Sequence, residues 1–151
     1  MGDAHTPEDV IRHAREGRLE EWVHTFLTHA GNNRPMSDGL RLQERFWIGP
    51  LQLPLERMER CCGPEPGMEY RMNPDSWEER VGAMVRSMAE GWTPPPLIAQ
   101  FGADRRLSVR DGNHRHEAVR RAGLSSYWCV IWCDSAALCR EAEALLKEYG
   151  A

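Results

Sequence analysis

No apolar run in the 151-residue chain reaches membrane-spanning length, and its first residues lack the charged-then-apolar layout of a signal peptide. These absences predict a cytoplasmic protein with no membrane partner. There is no basic excess either, since the formal net charge is −4. That argues against a sequence-blind nucleic-acid binder, which needs cations to neutralise phosphates. A disulfide framework is missing: five cysteines, an odd number, fit a reducing compartment better. No Cys-x-x-Cys and no nearby His pair has zinc-like spacing. Cys61, Cys62, Cys129 and Cys133 therefore read as buried, unreactive thiols, and no metal site is expected from them. Internal repeats and low-complexity tracts are also absent.

What remains is the composition of an ordinary soluble domain, long enough to bury one real core. Residues 6–30 read as helical. Thr6 suits an N-cap, Pro7 the first helical position, and Glu8 and Asp9 the first turn; Gly17 splits the segment. Leu19, Trp22, Val23, Phe26, Leu27 and Ala30 then form one stripe ended by Gly31. That stripe either packs on the main body or offers a surface for a protein partner or self-association. Residues 31–44 are rich in turn formers and read as a loop.

Phe46 to Leu55 is apolar but interrupted by Pro50 and Pro54, which predicts an edge strand or two short extended pieces. A second loop covers 61–75. Asp75 or Ser76 is the expected cap of a helix with Trp77, Val81, Met84, Val85 and Met88 on its buried face, stopped at Gly91. Strands follow at Leu97–Phe101 and over 107–110, then a helix ending at Gly123, a strand from Ser126 to Trp132, and a last helix over 135–149. Its expected apolar side is Ala137, Leu138, Ala142, Leu145 and Leu146. Strands and helices alternating in this way predict an α/β (or α+β) domain with a mixed sheet over 46–151, preceded by a helical extension over 1–45.

The stretch from Asp111 to Ala118 is where chemistry concentrates. Leu107 and Val109 alternate as on a strand, while Ala118, Val119 and Ala122 recur at helical spacing. A strand therefore turns into a helix at Gly112. Free helix amides there attract anions, phosphate above all. Gly112 is either a plain turn glycine or part of a phosphate cradle. Arg115 can swing back over the turn to meet phosphate, or pair with Asp111. His114 can donate to phosphate, act as acid/base, or serve the structure. Asp111 is a candidate catalytic or Mg²⁺-binding carboxylate, or simply the helix cap. Glu117 either orients His114 or pairs with Arg120 or Arg121, and His116 reads as structural or solvent-facing. Trp47 or Trp92, beside proline loops, are candidates to stack on a base.

Leu53-Pro54-Leu55-Glu56-Arg57-Met58, the helix ending Ser87 to Gly91, Pro95-Pro96-Leu97-Ile98, and Val109 to Ala118 together resemble the ParB/sulfiredoxin superfamily over residues 46–133. The most specific piece is the Asp-Gly-Asn-His-Arg turn. The resemblance implies a ParB/sulfiredoxin-like fold of bacterial type. It implies nucleotide phosphates held by Gly112, Asn113, His114 and Arg115, with ATP or another nucleoside triphosphate and Mg²⁺ as cofactors. Sulfiredoxins carry a cysteine where Asn113 stands, which argues against sulfinic-acid reduction. ParB partition proteins continue into a DNA-binding region, whereas 18 residues follow Cys133 here, which argues against centromere binding. The Asp-Gly-x-His-Arg form looks closer to stand-alone kinases that phosphorylate free serine. In that reading Glu56 is a candidate general base beside Asp111 and His114. The expectation is a nucleotide-binding protein, with phosphoryl transfer to a small hydroxyl compound or nucleotide hydrolysis as its reaction. The alternative is a non-enzymatic nucleotide-sensing or protein-interaction module. The third reading is a ParB-like nuclease acting on DNA.

Overall fold

The computed structural model describes residues 5–149. Three short helices come first: α1 (Pro7–Arg15), α2 (Leu19–Thr28) and α3 (Arg34–Leu40). The chain continues through β1 (Phe46–Pro54), β2 (Met58–Arg60), β3 (Cys62–Gly63), β4 (Tyr70–Arg71) and α4 (Pro74–Ala89). It ends with β5 (Leu97–Phe101), β6 (Leu107–Asp111), α5 (Asn113–Arg121), β7 (Ser126–Cys133) and α6 (Ala136–Leu145). Five strands form one mixed sheet in the order β1-β7-β5-β6-β2, and β3 and β4 form a separate parallel pair. The α/β reading therefore holds. No helix among the described residues is long and apolar enough to cross a membrane.

The sheet is buried on both faces, so its central strands read as near-continuous apolar runs. In β7, Tyr127, Cys129, Ile131 and Cys133 turn to one face, where Val119, Ala142 and Leu146 cover them. Val130 and Trp132 turn to the other, with Ile98 of β5. There they meet Val10, Trp22, Val23, Phe26, Leu27 and Leu40 from the first three helices. The stripe on α2 thus packs on the main body and is not itself a surface for a partner. Ala30 is exposed because the helix ends at Thr28, so helical spacing no longer applies to it.

Other boundaries moved for local reasons. The expected loop over 31–44 contains α3, capped by Asn33, whose Oδ1 accepts from Met36 N. Its turn formers are overridden because Leu40 and Ser37 are buried, Ser37 against His24 Nδ1 at 2.7 Å. The loop over 61–75 holds the β3–β4 pair, and the three-residue β2 was too short to show a period. Helix α4 is capped by Asn73 rather than Asp75 or Ser76: Pro74 takes the first turn, and Asn73 Oδ1 accepts from both of their amides. On α6 the Leu138–Ala142–Leu146 row faces inward with Cys139 beside it, leaving Ala137 and Leu145 exposed. Strand β1 is an edge strand, with a bulge between Ile48 and Leu51 that accommodates Pro50.

Candidate functional site

Strand β6 ends at Asp111, and Gly112 makes the turn into α5 with φ 101°. A side chain there meets two obstacles. An added Cβ would lie 2.8 Å from Arg115 Nη2 and 2.9 Å from Leu97 Cδ2. The backbone angle and the close packing each require glycine. Gly112 occupies the N-cap position and no side chain caps the helix, which corrects the reading of Asp111 as its cap. The leading amides of α5, on Asn113, His114 and Arg115, thus have no side-chain acceptor.

These amides open onto a cavity of about 870 Å³. Its floor is the turn from Asp111 to Arg115. One wall comes from the loop and helix around Asn33, Met36 and Leu40; the other comes from Cys62, Tyr70, Arg80 and Met84. Four arginines line it, Arg45, Arg80, Arg110 and Arg115, against one carboxylate, Asp111. Three of these arginines are ion-paired, Arg45 with Asp134, Arg110 with Glu69 and Arg115 with Asp111, so the lining's excess of positive charge rests on Arg80.

Arg115 is buried and reaches back over the turn, as its place in the first helical turn predicts. Its Nη2 donates to Pro96 O at 2.9 Å and to Asp111 Oδ2 at 3.3 Å. Its guanidinium carbon lies 5.3 Å from the centre of the Phe26 ring. Nε is buried without a hydrogen-bond partner among the described residues. Asp111 is held on both sides, since its Oδ1 accepts from Asn33 Nδ2 at 2.9 Å. The carboxylate is a strut between the α2–α3 segment and α5, each oxygen accepting one hydrogen bond.

Asn113 is buried, and its side chain is spent. Oδ1 accepts from Cys61 N and Cys62 N at 2.9 and 3.2 Å, and Nδ2 donates to Val109 O. Its side chain is engaged within the protein, and its backbone amide lies at the start of α5. His114 lines the cavity with its ring 4.4 Å from that of Trp77. Burial first, and then Arg80, Arg115 and Arg60, push its pKa down to about 4. The imidazole is neutral at pH 7, and its buried Nε2 has no hydrogen-bond partner among the described residues.

The remaining candidates fall elsewhere. Glu56 is exposed on a 3₁₀ turn, Leu55–Arg57, and lines a different cavity with Arg57, Phe101 and Leu145. It does not meet Asp111 and His114 in the candidate site, because the turn after β1 lies away from the start of α5. Glu117 pairs with Arg120 and Arg121, which hold its carboxyl down at about 2, rather than orienting His114. His116 is buried, with Nε2 3.0 Å from Leu55 O. Trp47 packs against His24 and Trp132 and, like Trp92, does not line the cavity. Burial pushes the Cys129 and Cys133 thiols up to about 12, consistent with unreactive thiols. Among the described residues no group of three His, Cys, Asp or Glu side chains could hold a metal ion.

Sequence reasoning missed Arg80, on the second turn of α4, and Asn33 and Tyr70, in segments read as loops. Arg80 is exposed and has no ion pair among the described residues, unlike the other three arginines of the cavity. No local pattern marks an exposed arginine as facing a turn more than thirty residues away.

No protein-family model matches the chain, and no curated protein matches it. Among solved structures it is similar to sulfiredoxin from Arabidopsis thaliana, at 24% identity and TM-score 0.42, over 64% of this chain and 96% of that one. It is also similar to C-terminally truncated chromosome-partitioning protein ParB from Caulobacter crescentus. The ParB complexed with CTP-γ-S matches at 18% identity and TM-score 0.39, over 72% of this chain and 55% of that one. The ParB complexed to the centromeric parS site matches at 18% identity and TM-score 0.34, over 53% of this chain and 37% of that one. This chain thus spans about half or less of the ParB chains.

Proposed function

We propose that the protein binds the phosphates of a nucleotide at the N-terminus of α5. The observation behind this reading is the uncapped turn at Gly112 opening onto a cavity lined by four arginines and a single carboxylate. Helix amides and guanidinium groups are the two commonest protein donors to phosphate oxygens. The cavity volume falls in the range that takes a ligand of nucleotide size. Backbone amides of Asn113, His114 and Arg115 are the contacts to phosphate, with Arg80 closing from α4.

Mg²⁺ fits here only as a companion of the phosphates. Asp111, the one carboxylate at hand, is already engaged by Asn33 and Arg115, and Mg²⁺ is commonly held by substrate phosphates with few protein ligands. Binding without turnover is the reading the geometry favours, because Asp111 is committed and Glu56 is elsewhere. Phosphoryl transfer keeps one supporting observation, the neutral His114 whose Nε2 is free to accept a proton or a hydrogen bond. The similar ParB complexed to parS gives no support to the expectation against nucleic acid; a salt titration with duplex DNA measures that directly.

The test is calorimetry with the common nucleoside triphosphates, with and without Mg²⁺, on wild type and Arg80→Ala. Arg80 is exposed and unpaired, so its removal leaves the fold intact. The expected result is binding at micromolar levels, weakened roughly tenfold or more in the variant. No binding of any nucleotide at millimolar concentration overturns the reading. Product analysis during the same incubations separates a binding module from an enzyme.

A further inference from the structure

Tyr70 is the one exposed aromatic among the described residues that line the cavity. Its side chain is 56% exposed, whereas Trp132, the other aromatic of the lining apart from His114, is buried at 6%. Its setting places it beside the phosphate turn. Tyr70 lies on β4, and β4 is tied to the phosphate turn through a short chain of bonds. Tyr70 N donates to Cys61 O at 2.9 Å, and the amides of Cys61 and Cys62 donate to Asn113 Oδ1. The Tyr70 backbone is therefore tied to the first residue of α5.

The ring is also backed. The Arg110 guanidinium carbon lies 5.8 Å from its centre. Arg110 is itself held by both carboxylate oxygens of Glu69, at 2.9 and 3.2 Å, and by Ser108 Oγ. A guanidinium against one side of an aromatic ring leaves the rest of the π surface for a second planar group. Nucleobases stack on such platforms whatever their identity, because each has a π face. The other two aromatic candidates, Trp47 and Trp92, are outside the cavity.

We infer that Tyr70 is the base-stacking residue of the site, so that the cavity takes a nucleoside polyphosphate with its base on Tyr70 and its phosphates on α5. This inference rests on the phosphate reading above. It assigns Tyr70 the role of separating nucleotides from bare polyphosphate, with Arg110 as the positioning residue behind it. Stacking of this kind is sequence-tolerant, so it selects for a base without selecting strongly among bases.

The experiment compares ATP, CTP, GTP and UTP with inorganic tripolyphosphate on wild type, Tyr70→Ala and Tyr70→Phe, by calorimetry at fixed salt. The expected result is that wild type prefers nucleotides to tripolyphosphate. Tyr70→Ala then loses nucleotide affinity by roughly tenfold or more, while tripolyphosphate binding stays within twofold. Tyr70→Phe keeps the ring and stays within twofold of wild type for both ligands, which also controls for misfolding. The inference is overturned, with the phosphate reading intact, if tripolyphosphate binds as well as the nucleotides. It is equally overturned if Tyr70→Ala weakens both ligands alike. If neither ligand binds wild type, the phosphate reading falls and takes this inference with it.

Discussion

Asn33 Nδ2 donates to Asp111 Oδ1 at 2.9 Å across 78 residues of chain. The same asparagine caps α3 through its Oδ1. One side chain therefore fixes both the start of the helical cover and the carboxylate at the floor of the site. Phe26 under Arg115 makes a second link between the same parts. Helix α3 and the loop before it are thus a wall of the cavity, with α2 packed behind through Phe26.

Substitution can separate the two jobs of Asn33. Asn33→Asp retains a good N-cap but sets a second carboxylate against Asp111. It should lower stability by about 1–3 kcal/mol, since a charged hydrogen bond becomes a repulsion. It should also weaken nucleotide binding, because negative charge is added to the cavity. Asn33→Ser caps equally well without the repulsion and should cost less on both counts. Urea denaturation midpoints and calorimetry on the two variants check the ranking; equal losses would mean that the negative charge added beside Asp111 has no effect.

Gly112→Ala brings strain and a clash together. The residue sits at φ 101°, and its new methyl group would meet Arg115 and Leu97. The cost should be about 1–3 kcal/mol of stability. Displacement of Arg115 should reduce nucleotide affinity more than the stability change alone explains. Thermal unfolding and nucleotide titration of the variant at a temperature where it is fully folded test this.

Acid sensitivity has a defined direction. The folded-state pKa of His114 is depressed to about 4 from an ordinary 6.5 by burial and by Arg80, Arg115 and Arg60. Between those values the unfolded chain takes up the proton and the folded one does not. This group therefore stabilises fully above pH 6.5 and loses its contribution as pH falls toward 4. Burial lowers His116 in the same sense. The Glu117 carboxyl, held down to about 2 by Arg120 and Arg121, adds a second loss as pH falls from 4.5. Stability measured by urea at pH 7.5 and pH 5 should fall in wild type and fall less in His114→Gln. Glu117→Gln should flatten the profile only below about pH 4.5. A wild-type stability that is level between pH 7.5 and pH 5 contradicts the placement of His114.

The strand-turn-helix at Gly112 was legible because its signals are local. The apolar period changes from two to nearly four at one glycine, and an Arg follows within the first turn. Strands β5 and β7 were legible for the same reason. Helix α3 was hidden because its seven residues include Pro35, Ser37, Asp38 and Gly39, which read as turn formers until burial of Leu40 and Ser37 overrides them. Asn113 was placed on phosphate by its position, whereas its side chain closes a hydrogen-bond network under β3. Arg80 and Tyr70 carry no local mark at all. They become part of the site only when α4 and the β3–β4 pair fold against α5, and that is tertiary information.

The most direct measurement is a nucleotide titration followed by backbone amide resonances. The account places phosphate on the amides of Asn113, His114 and Arg115. It predicts that these three, with Gly112, show the largest shifts on saturation with nucleoside triphosphate, and that inorganic tripolyphosphate shifts the same amides. Saturation that leaves those amides unmoved while others shift would contradict it.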